Sequence, residues 1–348
     1  MTNPIEPSSL FLRACRRLPT ERTPIWLMRQ AGRYMSEYRA IRAKHSMLEV
    51  ISTPELAAEV TLQPIRTFGM DAAIIFADIL PPLIGMGLKL DFVKGEGPQI
   101  DNPLCDHAAI DSLVTPLAEE TMLAQTLAAI RLVKKELATL GVPLIGFAGA
   151  PFTLASYAVE GGSTRSYAKV KRLMFSDPAA WERLMNKLVS VQADYLLKQV
   201  QAGADALQIF DSWAGVLSQL DYRRYIQPYN QTLFAALSSA GVPVINFSTG
   251  TSALLPDVAA CGGDVIGVDS QMPIDWCWQQ IGAERAIQGN LDPVSLFAPW
   301  PELQARVDDI LQRANGQPGH IFNLGHGILP ETPIENVQRL VEYIKWGK

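Results

Sequence analysis

The sequence predicts an α/β protein folded as a single (β/α)8 TIM barrel, with its active-site cleft at the C-terminal ends of the strands. Eight strand-like apolar runs recur along the 348 residues. A helical pattern follows each run, and small or polar residues stand where each run ends. Length alone would allow two domains, but barrels exceed about 250 residues as one unit. We therefore expect one domain over residues 1–348.

The eight runs are rich in Val, Ile, Leu and Phe and lack strict alternation, which is typical of a parallel sheet buried on both faces. In chain order they are TPIWLM (23–28), DAAIIFADIL (71–80), VPLIGFAG (142–149), ADALQIFDS (204–212), VPVINFSTG (242–250), DVIGVDS (264–270), AIQGNLD (286–292) and GHIFNLGHG (319–327). A doubly wound open sheet is the alternative. That fold ordinarily carries a glycine-rich phosphate loop after an early strand, and neither GxGxxG nor GxxxxGK[ST] occurs here.

The segments between the runs carry helix signals. A helix is predicted around residues 116–139 because four apolar side chains share one face: Leu123, Leu127, Ile130 and Leu137. Asp177 followed by Pro178 has the pattern of an N-cap and a first helical position. The segment TPIE (332–335) has capping-box spacing and predicts a final helix that continues to about Trp346.

Composition limits the possible partners and compartment. The net charge of −5 argues against general binding to nucleic acid or membrane surfaces, so any anion site must be local. The four cysteines have no metal-like spacing and predict reduced thiols in a cytoplasmic protein. The N-terminus lacks the apolar core of a signal peptide. Residues 137–159 are uncharged, but glycines and prolines interrupt them, which favours strand and loop over a membrane-spanning helix.

Polar residues at the strand ends are the candidate functional groups, because barrel active sites form there. In chain order these residues are Arg29, Gln30, Arg33, Asp78, Tyr157, Glu160, Asp211, Ser212 and His326. Each also has an ordinary interpretation: Asp78 as a helix N-cap, His326 as a core histidine, Tyr157 and Ser212 as packing. Their common position on one face of the barrel is what favours a functional site.

Two features of these residues indicate a ligand-binding cleft: an arginine pair that can bind an anion, and an aspartate that is expected to face a cavity. Arg29 and Arg33 flank Gly32, and glycine disfavours an ordinary exposed helix there, so both guanidinium groups can face one ligand. Asp78 is followed by two prolines and is costly to bury without partners, so we expect it to face a cleft. No GxSxG or HExxH motif is present. Residue chemistry alone indicates a cofactor-independent enzyme that acts on a polyanionic small molecule.

Five segments resemble the uroporphyrinogen decarboxylase family. They are TPIWLMRQAGRY (23–34), TLQPIRTFGMDAAIIFADIL (61–80), PLIGFAGAPFTLASYAVEGG (143–162), AIQGNLDP (286–293) and NLGHGILP (323–330). The resemblance runs from about Leu10 to the C-terminus. The MRQAGRY and NLGHG segments, in that order, are its most specific features.

The resemblance implies a homodimeric barrel without metal or organic cofactor. It implies conversion of the four acetate side chains of uroporphyrinogen III to methyl groups, which gives coproporphyrinogen III and four CO2. The implied substrate-binding residues are Arg29, Gln30, Ala31, Gly32, Arg33, Asp78, Tyr157, Ser212 and His326, with Phe210 and Arg42 near the cleft. Among them, the implied catalytic residues are Asp78, Arg29, Arg33 and His326.

In the mechanism that this family suggests, protonation of the pyrrole ring creates the electron sink for decarboxylation, and Asp78 stabilises the resulting cation. The proton donor stays open among His326, Tyr157, an arginine and a carboxyl group of the substrate. Two alternative functions also stay open. One is a zinc-dependent corrinoid methyltransferase on the same general fold, and the other is an inactive tetrapyrrole-binding protein.

Overall fold

A curled parallel sheet of seven strands forms the centre of the molecule, and a two-stranded antiparallel hairpin lies beside it. The computed structural model describes residues 9–32, 34–93, 97–118, 122–162 and 164–347. In chain order the strands are β1 (Ala73–Ile74), β2 (Leu90–Val93), β3 (Gly97–Ile100), β4 (Leu144–Gly149), β5 (Ala206–Asp211), β6 (Val244–Ser248), β7 (Val265–Gly267), β8 (Ala286–Leu291) and β9 (His320–Leu324). The large sheet has the order β1-β4-β5-β6-β7-β8-β9, and β2 pairs with β3.

Helices connect successive strands of the sheet, as the predicted βα repeat requires. Within the described residues they are α1 (Leu10–Cys15), α2 (Ser36–Arg42), α3 (Met47–Ser52), α4 (Pro54–Phe68), α5 (Pro81–Gly85), α6 (His107–Asp111), α7 (Met122–Leu140), α8 (Pro151–Glu160), α9 (Ala168–Ser176), α10 (Pro178–Ala202), α11 (Gln219–Tyr225), α12 (Gln227–Leu237), α13 (Leu255–Cys261), α14 (Ile274–Ile281), α15 (Trp300–Ala314) and α16 (Ile334–Trp346). Short 3-10 helices cover Ala214–Val216, Ser238–Ala240, Ser252–Leu254 and Pro293–Phe297. None of the described helices combines the length and apolar composition needed to cross a bilayer.

Six of the eight predicted runs contain a strand of three or more residues, and the first two differ. The run 23–28 forms a single parallel bridge, Ile25 to Phe322, in place of a strand. Pro24 has no N–H to donate, and the chain turns at once through a hydrogen bond from Gln30 N–H to the Leu27 carbonyl (2.9 Å). The run 71–80 contributes only the two residues of β1 to the sheet.

The segment 23–28 nevertheless contacts both edges of the sheet. Phe322 N–H donates to the Pro24 carbonyl (2.9 Å), and Asp71 N–H donates to the Ile25 carbonyl (2.9 Å). Because β9 and β1 are the two edge strands, this segment lies between them. The structure therefore shows seven parallel strands in one curled sheet, with an additional extended segment at the gap.

A chain of hydrogen bonds runs through the interior of the curled sheet. Trp26 Nε1–H donates to Gln288 Oε1 (3.0 Å), and Gln288 Nε2–H donates to Gln208 Oε1 (3.1 Å). All three side chains are buried. Buried polar groups of this kind are costly unless they are paired. The chain thus joins segment 23–28 to β8 and β5 across the interior.

The three predicted helices are present as α7, α10 and α16, and α16 ends at Trp346 as predicted, while the cap predicted for α16 is wrong. The helix predicted over 116–139 is α7, with Leu123, Ile130 and Leu137 buried. Asp177 caps α10 by accepting a hydrogen bond from Ala180 N–H (3.0 Å). The capping box at 332–335 is absent. Helix α16 begins one residue later than the box requires, so a proline occupies the N-cap position and Thr332 lies outside the helix.

Candidate active site

A cleft of about 230 Å3 opens at the C-terminal ends of β1, β4 and β5. Its floor is aromatic: the rings of Phe147 and Phe210 meet edge to face at 5.5 Å, and Phe210 meets Phe247 at 5.7 Å. Tyr38 and Met47, from α2 and α3, line one side. A larger groove of about 540 Å3 lies at the N-terminal end of β6, away from the predicted residues. The cleft lies at the strand ends where the sequence predicts a site.

Asp78 lines this cleft on the extended chain that leaves β1. Its Oδ1 accepts a hydrogen bond from Leu80 N–H (2.9 Å), and it does not cap α5, whose N-cap residue is Leu80. Burial raises the pKa of the Asp78 carboxyl, while backbone N–H groups and the Arg29 guanidinium act in the opposite direction. The carboxylate is thus held by main-chain donors in a site from which much of the water is excluded.

Arg29 lies at the rim of the cleft in a left-handed backbone conformation, with φ of 60°. Two glycines make room for it. A Cβ at Gly32 would lie 2.5 Å from the Arg29 carbonyl oxygen, and a Cβ at Gly327 would lie 2.5 Å from Arg29 Cδ. Close approach of the backbone therefore requires glycine at position 32, whereas a side chain at position 327 would displace the Arg29 side chain. The side chain itself is exposed, so its guanidinium is available to a ligand.

The other residues of this predicted segment divide into two groups. Ala31 and Gly32 line the cleft. Gln30 is fully buried, and its amide is used internally: Oε1 accepts from Leu27 N–H (3.1 Å) and Nε2–H donates to the Ala72 carbonyl (3.0 Å). Gln30 thus ties the segment to the start of β1 and does not point into the cleft. Arg33 lies outside the described residues.

The segment that carries Arg29 is joined to the one that carries His326. Met28 N–H donates to Asn323 Oδ1 (2.9 Å), and Ile328 N–H donates to the Met28 carbonyl (2.9 Å). His326 lies between these contacts and is exposed. Loss of solvation around the imidazole lowers the pKa of His326, and the positive charge of Arg29 lowers it further. We therefore expect a neutral imidazole at pH 7.

Ser212 lines the cleft beyond the end of β5, two residues after Phe210 and on the same face of the strand. Asp211, between them, points to the opposite face and is buried. Alternation along a strand thus separates two polar residues that are adjacent in sequence. Arg42 and Glu160 do not line the cleft.

Tyr157 lies on α8 and faces a small second cavity of about 110 Å3 beside the cleft. Burial, and then the charge of Asp78, raise the pKa of its phenol. Its ring centroid lies 5.9 Å from that of Trp213, and the two rings are tilted against each other. Trp213 was not predicted as a site residue, although its position directly after Ser212 at a strand end was a usable signal. Arg29 acts electrostatically on Asp78, Tyr157 and His326, which places all four residues around one site.

In the described part of the chain, no group of three or more His, Cys, Asp or Glu side chains is arranged so that it could hold a metal ion. Cys15, Cys261 and Cys277 are buried, Cys105 is exposed, and none forms a disulfide. The polar side chains that line the cleft are those of Arg29, Tyr38, Asp78 and Ser212, while Tyr157 and His326 lie outside its lining.

Comparisons with known proteins show the family to which the chain belongs. The sequence profile of the family described as uroporphyrinogen decarboxylase (URO-D) matches residues 6–346. The uroporphyrinogen decarboxylase of Chloroflexus aurantiacus is 57% identical over 339 residues, which cover 96% of this chain and 95% of that protein. The same enzyme of a Roseiflexus species is 54% identical, with 97% of each chain covered.

A solved structure shares the fold at a greater distance. A methyltransferase from Methanosarcina mazei superposes with a TM-score of 0.80 at 20% identity and covers 96% of this chain and 97% of its own. At that identity the likeness concerns the fold alone. The profile match over nearly the whole chain, and relatives more than half identical to it, decide the relationship: the chain belongs to the uroporphyrinogen decarboxylase family.

Proposed function

We propose that this protein is a carboxy-lyase that converts uroporphyrinogen III to coproporphyrinogen III and four CO2 without a metal or organic cofactor. The observation that carries the proposal is the Asp78 carboxylate, held by main-chain N–H groups above an aromatic floor, with Arg29 at the rim. Relatives with 52–57% identity bear the name of this activity and support it.

The chemistry requires an electron sink, because direct loss of CO2 from an acetate side chain leaves an unstabilised carbanion. A proton added to the pyrrole carbon next to the acetate-bearing carbon creates a cation shared with the ring nitrogen. The bond to the carboxylate then breaks, and its electron pair forms an exocyclic methylene. The methylene takes a proton and the ring carbon loses one. The net change per acetate is one proton consumed and one CO2 released.

Asp78 is the residue that stabilises the cationic ring in this proposal. Its carboxylate accepts the pyrrole N–H groups of the bound macrocycle, and the charge that develops on the ring nitrogen faces a fixed anion. Such a preorganised charge acts more strongly in a low-dielectric cleft than in water. The Leu80 N–H that already holds one carboxylate oxygen keeps the group oriented.

The substrate carries eight carboxylates, and the cationic and hydrogen-bonding groups at the rim bind them. Arg29 and Arg33 contribute charge-assisted hydrogen bonds, each of about 1.5–3 kcal/mol. His326 acts through a neutral ring that donates one N–H, consistent with the lowering of its pKa. Tyr157 and Ser212 contribute hydroxyl groups, while Ala31 and Gly32 leave room for the macrocycle. Gln30 supports the segment from behind.

We further propose that the whole chain is one domain, a closed barrel of eight parallel members with segment 23–28 as the eighth. The hydrogen bonds from Phe322 and Asp71 to that segment support closure, as does the interior chain from Trp26 to Gln208. We also propose a homodimer in the cytoplasm. Membership of the uroporphyrinogen decarboxylase family supports the homodimer and the cytoplasmic location.

The deciding experiment is turnover of uroporphyrinogen III by the purified protein under anaerobic conditions, with the porphyrins separated after oxidation. We expect seven-, six- and five-carboxyl intermediates followed by coproporphyrinogen III, with the same rate in the presence of EDTA. An Asp78→Asn variant is the matched control for contaminating activity. Absence of decarboxylation would contradict the proposal, and activity restored only by zinc would favour the methyltransferase alternative.

A further inference from the structure

A buried polar cluster lies behind the cleft at the end of β5. Its centre is Asp211, whose exposed fraction is 2% and whose side chain points away from the cleft into the surrounding helices. The groups that face it are uncharged: Thr153 from α8, Asn230 from α12, Tyr222 from α11 and Cys261 from α13. No part of the proposed reaction uses this carboxyl group.

The Thr153 hydroxyl connects Asp211 to the chain that follows it. Thr153 Oγ1–H donates to Asp211 Oδ1 (2.9 Å), and the same oxygen accepts a hydrogen bond from Trp213 N–H (3.3 Å). Both functions of one hydroxyl are therefore occupied. On the other side, Asn230 Nδ2–H donates to Asp211 Oδ2 (3.5 Å) and contacts the Tyr222 hydroxyl (3.4 Å).

These contacts fix both chain neighbours of Ser212, which lines the cleft. They also reach Tyr157, because Thr153 and Tyr157 lie four residues apart on α8 and face the same segment. The Trp213 ring packs against the Tyr157 ring, with 5.9 Å between the ring centroids. A displacement of Thr153 or Asp211 would thus move two groups that face the substrate.

We infer that Asp211 is a positioning residue, which acts through Thr153 to hold Ser212, Trp213 and Tyr157 in the arrangement that binds the substrate. This inference rests on the proposed function. A packing role alone would be filled more stably by an apolar side chain, because a buried carboxyl is costly. Burial raises the pKa of Asp211 to about 6, with Thr153 and then Asn230 acting against that rise.

A positioning role for Asp211 predicts that kcat/KM depends on pH, and the pKa of Asp211 fixes the direction of the change. Above about pH 6 the carboxylate is ionised and is a strong acceptor for the Thr153 hydroxyl. Below it the neutral acid is a weaker acceptor and the link loosens. Burial also raises the pKa of Tyr222 well above its ordinary value and that of Cys261 to about 12, so neither changes charge in this range. We expect kcat/KM to fall as the pH drops through 6.

The test begins with Thr153, where valine removes the hydroxyl at constant shape and serine keeps it. We expect Thr153→Val to lower kcat/KM by about 10–100-fold, as misplacement of a contact group does, and Thr153→Ser to recover most of it. Thr332→Val is the control, since Thr332 is also buried and its hydroxyl has no partner among the described residues. A kcat/KM of the Thr153→Val variant equal to that of the parent protein would overturn the inference.

A second measurement needs no turnover. Exchange of the Trp213 amide with deuterium should accelerate in Thr153→Val, because that N–H loses its acceptor, and stay slow in Thr153→Ser and Thr332→Val. Unchanged exchange in Thr153→Val would contradict the link.

An Asp211→Asn variant should lack the acid limb of the kcat/KM profile near pH 6, and retention of that limb would also contradict the inference. An inactive parent protein would instead contradict the proposed function.

Discussion

The proposed role of Asp78 requires an ionised carboxylate, but Asp78 lies where burial favours the neutral carboxylic acid. The N–H of Leu80 and the nearby Arg29 guanidinium offset part of that penalty. The carboxylate is therefore held by main-chain donors rather than by a salt bridge. Such a group costs little reorganisation when a cation forms beside it.

Replacing Asp78 with asparagine tests this role at the scale of one residue. The amide keeps the size and one acceptor oxygen but removes the charge, so binding should be retained better than catalysis. We expect kcat to fall by about 10²–10³-fold while the affinity for coproporphyrinogen III changes by less than about tenfold. Steady-state kinetics and a binding titration on the same preparation measure both. A kcat near that of the parent protein would leave Asp78 as a packing residue.

At the scale of elements, the site depends on how the loop after β9 packs against the segment that carries Arg29. The Met28 main chain bonds to Asn323 and Ile328, and Gly327 lies against the Arg29 side chain. The loop therefore determines where the guanidinium points. This is a contact between segments almost 300 positions apart in the sequence.

A Gly327→Ala variant should displace Arg29, because the added Cβ would lie 2.5 Å from Arg29 Cδ. We expect KM to rise by about tenfold with a smaller change in kcat, as for the loss of one binding contact. In an Arg29→Ala background the same substitution should add nothing, which a double-mutant cycle measures.

The control for this cycle is Gly241→Ala, in the connection between α12 and β6. An added methyl group there meets no atom within 4 Å, but φ of 73° disfavours alanine, so stability should fall without a change in KM. An unchanged KM in Gly327→Ala would show that Arg29 does not bind the substrate from this position.

The sequence predicted those strands that are buried on both faces, because such strands are continuous apolar runs, as in β5 and β6. The first run, 23–28, has the same composition, but Pro24 and the turn at Leu27 prevent a ladder of hydrogen bonds. The direction of a side chain was harder to predict. Gln30 resembles a ligand group in sequence and is turned inward by its bonds to Leu27 and Ala72.

The positions of the candidate site residues in the fold could be predicted where they follow from position along the chain. Asp78, Ser212 and His326 all stand at strand ends, and the structure places Asp78 and Ser212 in the cleft and His326 on the adjoining loop. Thr153 and Trp213 were not predicted, because their contacts arise from packing of α8 against the end of β5. Such contacts leave no periodic pattern in a single sequence.

At the scale of the whole molecule, the proposed closure of the sheet depends on segment 23–28. An open sheet of seven strands would leave β1 and β9 as edges with unpaired main-chain groups. In the structure the amides of Asp71 and Phe322 both donate to segment 23–28. Side chains also join this segment to the sheet, since Trp26 bonds to Gln288 and, through it, to Gln208.

Hydrogen exchange of the native protein tests the closure directly. If the barrel is closed, peptides covering residues 71–75 and 320–324 should exchange as slowly as residues 244–248 in the centre of the sheet, because their amides open only with global unfolding. Gln288→Leu should accelerate exchange in both edge peptides by about 10–100-fold, since it leaves Trp26 Nε1–H without its acceptor and Gln208 Oε1 without its donor, at a cost of about 1–3 kcal/mol. Gln338→Leu, an exposed site on α16, is the matched control and should change neither. Fast exchange at 71–75 and 320–324 in the parent protein would mean that the sheet is open between β9 and β1.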